Sequence, residues 1–144
     1  MRVRALAAVA AAALAAAPTA AQGARSLSYQ GYTSQGHQIT FKRSAAGVYS
    51  MRIAIRASCK DKAGQDQGDY DFTLRALDKI ADPIRRGRFN VRLAGDRMTP
   101  DAVIKGTINK RGVARGTIEA DGRVTNPSDI GTCRSATVRW TAGP

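Results

Sequence analysis

The stretch SMRIAIRASC, residues 50–59, alternates between an apolar set and a second set that is polar except for Ala54. One set consists of Met51, Ile53, Ile55, Ala57 and Cys59. A repeat of two is the geometry of a β-strand, in which successive side chains point to opposite faces of a sheet. The stretch therefore predicts one long strand, with an apolar face that is buried and an arginine-bearing face in water.

The same repeat of two recurs along the chain, whereas no segment shows the helical repeat of about 3.6 residues. Further strands are predicted by six inward sets: His37, Ile39, Phe41; Tyr70, Phe72, Leu74; Phe89, Val91, Leu93; Ile104, Ile108; Ala114, Gly116, Ile118; and Ala136, Val138, Trp140. Turn residues separate them at Ser44–Gly47, Arg86–Gly87, Gly95–Asp96, Asn109–Gly112 and Asp121–Gly122. These features predict an all-β fold, a single antiparallel meander of about 8–9 strands forming a small barrel or a two-layer sandwich.

Two features of this pattern need a structural explanation. Gly106 and Gly116 fall on inward positions, which predicts large side chains packed against them, a bend of the strand, or a ligand close to the backbone. Cys133 falls out of phase with Val138 and Trp140, although Cys59 is in phase with its own strand. We expect Cys133 to precede the regular strand or to lie beside a bulge, because one extra residue resets the alternation.

The first 21 residues have the three-part pattern of a secretory signal. Arg2 and Arg4 precede an apolar stretch at residues 5–17, and small residues follow Pro18 up to Ala21. This pattern predicts a signal peptide at residues 1–21 and a single secreted β-domain at residues 22–144. The apolar stretch is shorter than the roughly 20 residues of a membrane span. We expect a secreted or periplasmic location after cleavage.

Export bears directly on the two cysteines of the chain, Cys59 and Cys133. In an oxidising compartment, two cysteines most economically form one disulfide. Their separation does not fit the Cys-x-x-Cys spacing of redox or zinc sites. We therefore predict a structural disulfide between them.

The composition is strongly basic, with 23 Lys and Arg against 11 Asp and Glu and a net charge of +12 in 144 residues. Eight basic residues fall on the outward side of the predicted strands: Arg52, Arg56, Arg75, Arg88, Arg92, Lys105, Arg115 and Arg139. Such a face attracts polyanions through counterion release. The alternative is that these are merely the solvated positions of half-buried strands. The aromatic residues are assigned inward, so no specific nucleic-acid recognition is predicted.

The acidic residues offer a weaker candidate site. Asp61, Asp66, Asp69 and Asp71 lie in what the pattern predicts to be a loop, and the last three are a weak alternative for calcium. Their spacing does not fit an EF-hand. The single histidine, His37, predicts a half-buried strand residue, and the sequence contains no known catalytic or phosphate-binding motif. We expect no enzymatic activity, no cofactor and no dedicated metal site.

The C-terminal residues also resemble a known pattern, together with Thr33–Gly36 and Gly87–Phe89. The residues that carry it are Gly131, Cys133, Ser135, Val138, Trp140, Thr141 and Ala142. This layout resembles a group of small secreted bacterial proteins of unknown function, which end in Gly-x-Cys-x-Ser-Gly-x-Val-x-Trp-Thr-Ala. Ala136 stands where that group has glycine. The resemblance implies an extracytoplasmic all-β domain with two cysteines available to pair, and it implies no activity.

Three functions remain open from the sequence. The first is a secreted, non-catalytic β-module that associates with anionic envelope polymers or with a protein partner. The second is a barrel-type carrier for a small apolar ligand. The third and weakest is a small hydrolase that uses the Asp61–Asp71 loop.

Overall fold

The structure is a computed structural model that describes residues 25–76, 81–95, 98–99, 102–124 and 130–144. These segments form eleven antiparallel strands: β1 (Leu27–Thr33), β2 (Gln38–Ser44), β3 (Gly47–Asp61), β4 (Asp66–Ala76), β5 (Arg88–Gly95), β6 (Met98–Thr99), β7 (Ala102–Ile108), β8 (Ala114–Glu119), β9 (Asp121–Val124), β10 (Ile130–Arg134) and β11 (Val138–Gly143). Within them there is no helix long and apolar enough to cross a membrane. The predicted signal peptide, residues 1–21, lies outside the described segments.

Eight of the strands close into a barrel. In chain order β1, β2, β3, β4, β5, β7, β8 and β11 each pair with the next, and β11 pairs with β1. An up-and-down barrel closed in this way removes the free edges that an open sheet would expose. The prediction of an all-β antiparallel meander is confirmed, and the barrel is the alternative that the chain adopts.

The remaining strands extend the sheet beyond one side of the barrel. β3 is 15 residues long, and after its pairing with β2 ends at Ile53 the same edge pairs with β10. β9 pairs with β10, and the two-residue β6 pairs with β9. The predicted turn at Asp121–Gly122 is therefore wrong, because these residues lie within β9 and pair with β10.

The barrel interior is filled by aromatic and aliphatic side chains. Tyr29 stacks on Phe41 with ring centroids 4.5 Å apart, and Phe41 lies 6.2 Å from Trp140 and 6.0 Å from Phe89. All four are almost fully buried, alongside Ile39, Met51, Ile53, Leu74, Val91, Leu93, Ile104 and Ile118. Burial of this apolar surface supplies the main driving force for folding.

The inward glycines are explained by these rings. Phe89 lies directly across from Gly106 on the neighbouring strand, and Trp140 lies across from Gly116. A Cβ at Gly106 would collide with the Phe89 ring, and one at Gly116 would collide with the Lys105 carbonyl oxygen and lie 2.5 Å from the Trp140 ring. Of the predicted explanations, large side chains packed against the glycines is the one confirmed.

Cys133 is out of phase with Val138 because three residues outside the strands, 135–137, separate β10 from β11. Cys133 and Ser135 are buried, the next two residues are both exposed, and Val138 is buried again. Ser135 donates its backbone N–H to the Ala120 carbonyl, and its hydroxyl accepts from the Ala120 N–H. The predicted reset is confirmed, whereas the inward assignment of Ala136 is wrong.

The predicted disulfide is present. Cys59 on β3 and Cys133 on β10 lie directly opposite each other, with their Cα atoms 4.0 Å apart, and both are fully buried. The bond therefore fastens the extension to the edge of β3.

Two parts of the sequence interpretation are corrected by the strands. The Asp61–Asp71 segment is not a loop, since β3 runs to Asp61, β4 starts at Asp66, and only a short turn joins them. Tyr70, assigned inward, is 38% exposed. In addition, β1, β6 and β10 fall outside every predicted strand, and the described segments contain eleven strands rather than about 8–9.

Candidate functional site

Four neighbouring strands carry most of the predicted basic face in a regular register. On the outer surface of β5, β7, β8 and β11, one row across the strands reads Arg88, Thr107, Arg115, Thr141. The next outward row reads Asn90, Lys105, Thr117, Arg139. Each strand thus contributes one long cation and one short polar side chain, in alternating rows.

A groove of about 500 Å³ runs across the strands between these two rows. Its floor includes Gly106 and Gly116, whose inner side is covered by the rings of Phe89 and Trp140. We call it the cationic groove, and it is lined by Arg88, Phe89, Asn90, Lys105, Gly106, Thr107, Arg115, Gly116, Thr117, Arg139, Trp140 and Thr141.

The charge of the cationic groove is entirely positive. Its lining includes four cations, Arg88, Lys105, Arg115 and Arg139, and no carboxylate. In the part of the chain that the structure describes, none of the four has an acidic partner within 4.0 Å. Glu119 lies one outward row further along β8 and accepts a hydrogen bond from the Thr137 hydroxyl. The four charges therefore add to a local field that favours anions.

The alternation of cations with threonines has a structural basis. Like charges directly opposite each other on neighbouring strands destabilise a sheet. Between β5, β7, β8 and β11 each groove arginine or lysine faces a neutral residue, as Arg115 faces Thr107 and Thr141. On its other side, Arg88 forms an antiparallel bridge with Arg85. The arrangement gathers four cations on one face without placing any two of these four directly opposite each other.

An exposed aromatic ring continues this pattern on the next strand. Tyr32 on β1 lies opposite Thr141 and is 67% exposed. It occupies the same row as Arg88 and Arg115, one strand beyond Arg139. The sequence interpretation missed this ring because it did not predict β1.

The other predicted face residues lie elsewhere on the barrel. Arg52 and Arg75 face each other across β3 and β4, and Arg92 lies in the row beyond the groove, opposite Val103. All three are exposed. The eight predicted cations are thus all outward, but only four of them come together around one groove.

Arg56 belongs to an ion-pair cluster rather than to a free cationic face. Its Nε donates to Oδ1 of Asp71 at 2.9 Å and its Nη2 to Oδ2 at 3.4 Å. Nε2 of His37 lies 3.3 Å from Oδ1 of the same carboxylate. Hydrogen bonding from Arg56, with a further contribution from the charge of His37, lowers the pKa of Asp71.

The Gln35 side chain connects this cluster to the edge of β3. The Gln35 amide donates to the Arg56 carbonyl at 3.0 Å and accepts from the Arg56 N–H at 2.8 Å. It therefore pairs with β3 as a strand would, on the stretch of edge between β2 and β10. This contact places His37, next to β2, beside Asp71.

The acidic residues of the calcium alternative do not converge. Asp71 pairs with Arg56, Asp69 accepts a hydrogen bond from the Ser58 hydroxyl, and Asp66 accepts from the N–H of Gly68. Asp61 accepts from Gln65 and Gln67. Among the described residues no three His, Cys, Asp or Glu side chains are grouped so as to hold a metal ion. Each carboxylate has its own local partner rather than a shared one.

A second concavity, of about 520 Å³, lies beside the disulfide. Its lining carries charges of both signs: Lys60 and Arg134 are accompanied by Asp66 and Asp121. Nη2 of Arg134 lies 2.6 Å from Oδ2 of Asp121. Because its charges offset one another, this concavity is a weaker candidate for a charged ligand than the cationic groove.

Comparisons of the chain with protein-family models, with curated proteins and with solved structures found no match.

Proposed function

We propose that this protein is a non-catalytic β-barrel module that binds an anionic polymer outside the cytoplasm. The single observation that carries the proposal is the cationic groove, in which Arg88, Lys105, Arg115 and Arg139 surround one depression without a carboxylate. A charged site of this kind favours polyanions through counterion release, largely independent of their sequence. The resemblance to small secreted proteins and the disulfide between Cys59 and Cys133 both support an extracytoplasmic setting.

The packing of the interior favours this function over a carrier for an apolar ligand. A carrier needs an open centre, whereas Tyr29, Phe41, Phe89 and Trp140 bring their rings together in the middle of this barrel. Binding through the outer face leaves that core intact.

The proposal is tested by measuring how tightly two variants bind heparin at several salt concentrations. The two variants have the same net charge. Lys105→Ser with Arg115→Ser removes two groove cations. Lys42→Ser with Lys60→Ser removes two exposed lysines from β2 and β3. We expect the groove variant to lose at least about tenfold in affinity, or about 1.4 kcal/mol, and to show a shallower salt dependence. The control should retain nearly all of its affinity.

Equal losses in the two variants would contradict the proposal, because they would indicate bulk electrostatics alone. All four positions are exposed, so both variants should keep the melting temperature of the parent protein within a few degrees.

A further inference from the structure

We infer that the polymer is a single-stranded acidic glycan, bound across the strands with one of its sugar rings on Tyr32. This inference rests on the proposed function and specifies its ligand. It is carried by the order of side chains from β5 to β1.

The groove cations form a zigzag. Arg88 and Arg115 lie in one row and Lys105 and Arg139 in the other, with one cation on each of four successive strands. Neighbouring strands lie about 4.8 Å apart, and residues two apart on a strand lie about 6.8 Å apart. Successive cations therefore advance by about 4.8 Å along the groove and alternate between its two sides.

This spacing fits an extended acidic glycan. A step of one strand is close to the length of one sugar ring. In a ribbon with two-fold symmetry, successive acidic groups point to opposite sides, so each could reach the cation on its own side. The distance between the two rows admits one extended chain.

The neutral residues of the groove offer hydrogen bonds to the sugar hydroxyls of the glycan. Thr107, Thr117, Thr141 and Asn90 occupy the places between the cations, and all are exposed. Hydroxyl and amide groups both donate and accept hydrogen bonds, as sugar hydroxyls do. A repeating unit that carries both hydroxyls and an acidic group thus meets both kinds of side chain on every strand.

Tyr32 continues the zigzag as its fifth member, about 19 Å from the Arg88 strand across four strand spacings. Its exposed ring offers an amphipathic surface for a sugar ring that follows the last cation. Single-stranded nucleic acid requires several rings on which successive bases stack. The two rings within the groove lining, Phe89 and Trp140, are buried on the inner side of the sheet, so the arrangement favours a glycan.

The test compares two probes of equal charge at the same ionic strength. One is a hexasaccharide of galacturonic acid, with six carboxylates. The other is a thymidine hexanucleotide whose 5′ phosphate is methylated, so that its six phosphates are all diesters and also carry six charges. Both are titrated against the parent protein, Tyr32→Leu, Tyr32→Phe, and the control Tyr70→Leu, which removes another exposed tyrosine on β4. We expect the parent protein to bind the hexasaccharide more tightly than the hexanucleotide. Tyr32→Leu should lower the affinity for the hexasaccharide about fivefold or more without changing its salt dependence. Tyr32→Phe and Tyr70→Leu should bind the hexasaccharide like the parent protein.

The inference is overturned if the hexanucleotide binds as tightly as the hexasaccharide, or if Tyr32→Leu binds the hexasaccharide like Tyr70→Leu. Either result would leave the proposed function standing, provided that Lys105→Ser with Arg115→Ser still weakens heparin binding selectively. Loss of that selectivity would instead contradict the proposed function itself.

Discussion

Gly106 and Gly116 show how single residues shape both sides of the barrel wall. On the inner side they make room for the rings of Phe89 and Trp140, whose centroids lie 6.1 Å apart. On the outer side the same residues lie between the two rows of the cationic groove. The core and the candidate site therefore share one strip of backbone.

Replacing one of these glycines should destabilise the fold. In Gly116→Ala the new Cβ would lie 1.9 Å from the Lys105 carbonyl oxygen, which is backbone and cannot move freely. We expect the free energy of unfolding to fall by about 1–3 kcal/mol, the usual cost of overpacking. Gly143→Ala is the control, since nothing lies within 4 Å of its added methyl group. Equal unfolding curves for the two variants would show that the close approach is not a real constraint.

Asp71 makes the stability of the folded protein depend on pH. Arg56 lowers the pKa of Asp71, so the folded state favours the ionised carboxylate. The resulting stability is present above the ordinary aspartate pKa of about 3.9 and is lost as the pH falls further. We expect Asp71→Asn to lower the melting temperature near neutral pH and to match the parent protein in strong acid. A constant difference at every pH would contradict this account.

Among the strands, β3 pairs with three neighbours, β2, β4 and β10. One of its edges pairs with β4, and the other is occupied in turn by β2, the Gln35 side chain and β10. The disulfide lies at the last of these contacts. It therefore stabilises the extension against separation from the barrel.

Removing this bond should loosen β10 more than the barrel. The disulfide closes a loop of 74 residues, for which the chain-entropy model gives about 4 kcal/mol. We expect Cys59→Ala with Cys133→Ala to lower the melting temperature by on the order of 10 °C. Amide hydrogen exchange should accelerate most at β10 and β9. Unchanged melting, or faster exchange mainly in β7 and β8, would show that the bond does not stabilise the extension.

The elements also show which strands the sequence can and cannot predict. Alternation predicts the strands that have one apolar face, such as β3, β5 and β7. β1 was missed because Tyr32 lies on its outer face while Gly31 and Thr33 take inward positions, which obscures the pattern. The start of β4 resembled a loop because residues 66–71 are all exposed, so no apolar set marks a buried face.

At the scale of the whole molecule, the barrel's closure creates the candidate site. Outward direction could be predicted for each arginine and lysine, but their grouping depends on which strands become neighbours. β11 reaches β8 only because β9 and β10 leave the barrel, and β1 reaches β11 only because the barrel closes. The zigzag from Arg88 to Tyr32 is therefore a property of the topology and could not be obtained from local alternation.

The central claim is that polyanions bind at this groove rather than over the whole basic surface. The most direct measurement is a titration of isotopically labelled protein with a heparin oligosaccharide, followed by amide chemical shifts. We expect the largest shifts in β5, β7, β8 and β11, at the residues of the two rows, and at Tyr32. Shifts spread evenly over exposed basic residues, or centred on Arg52 and Arg75, would contradict the claim.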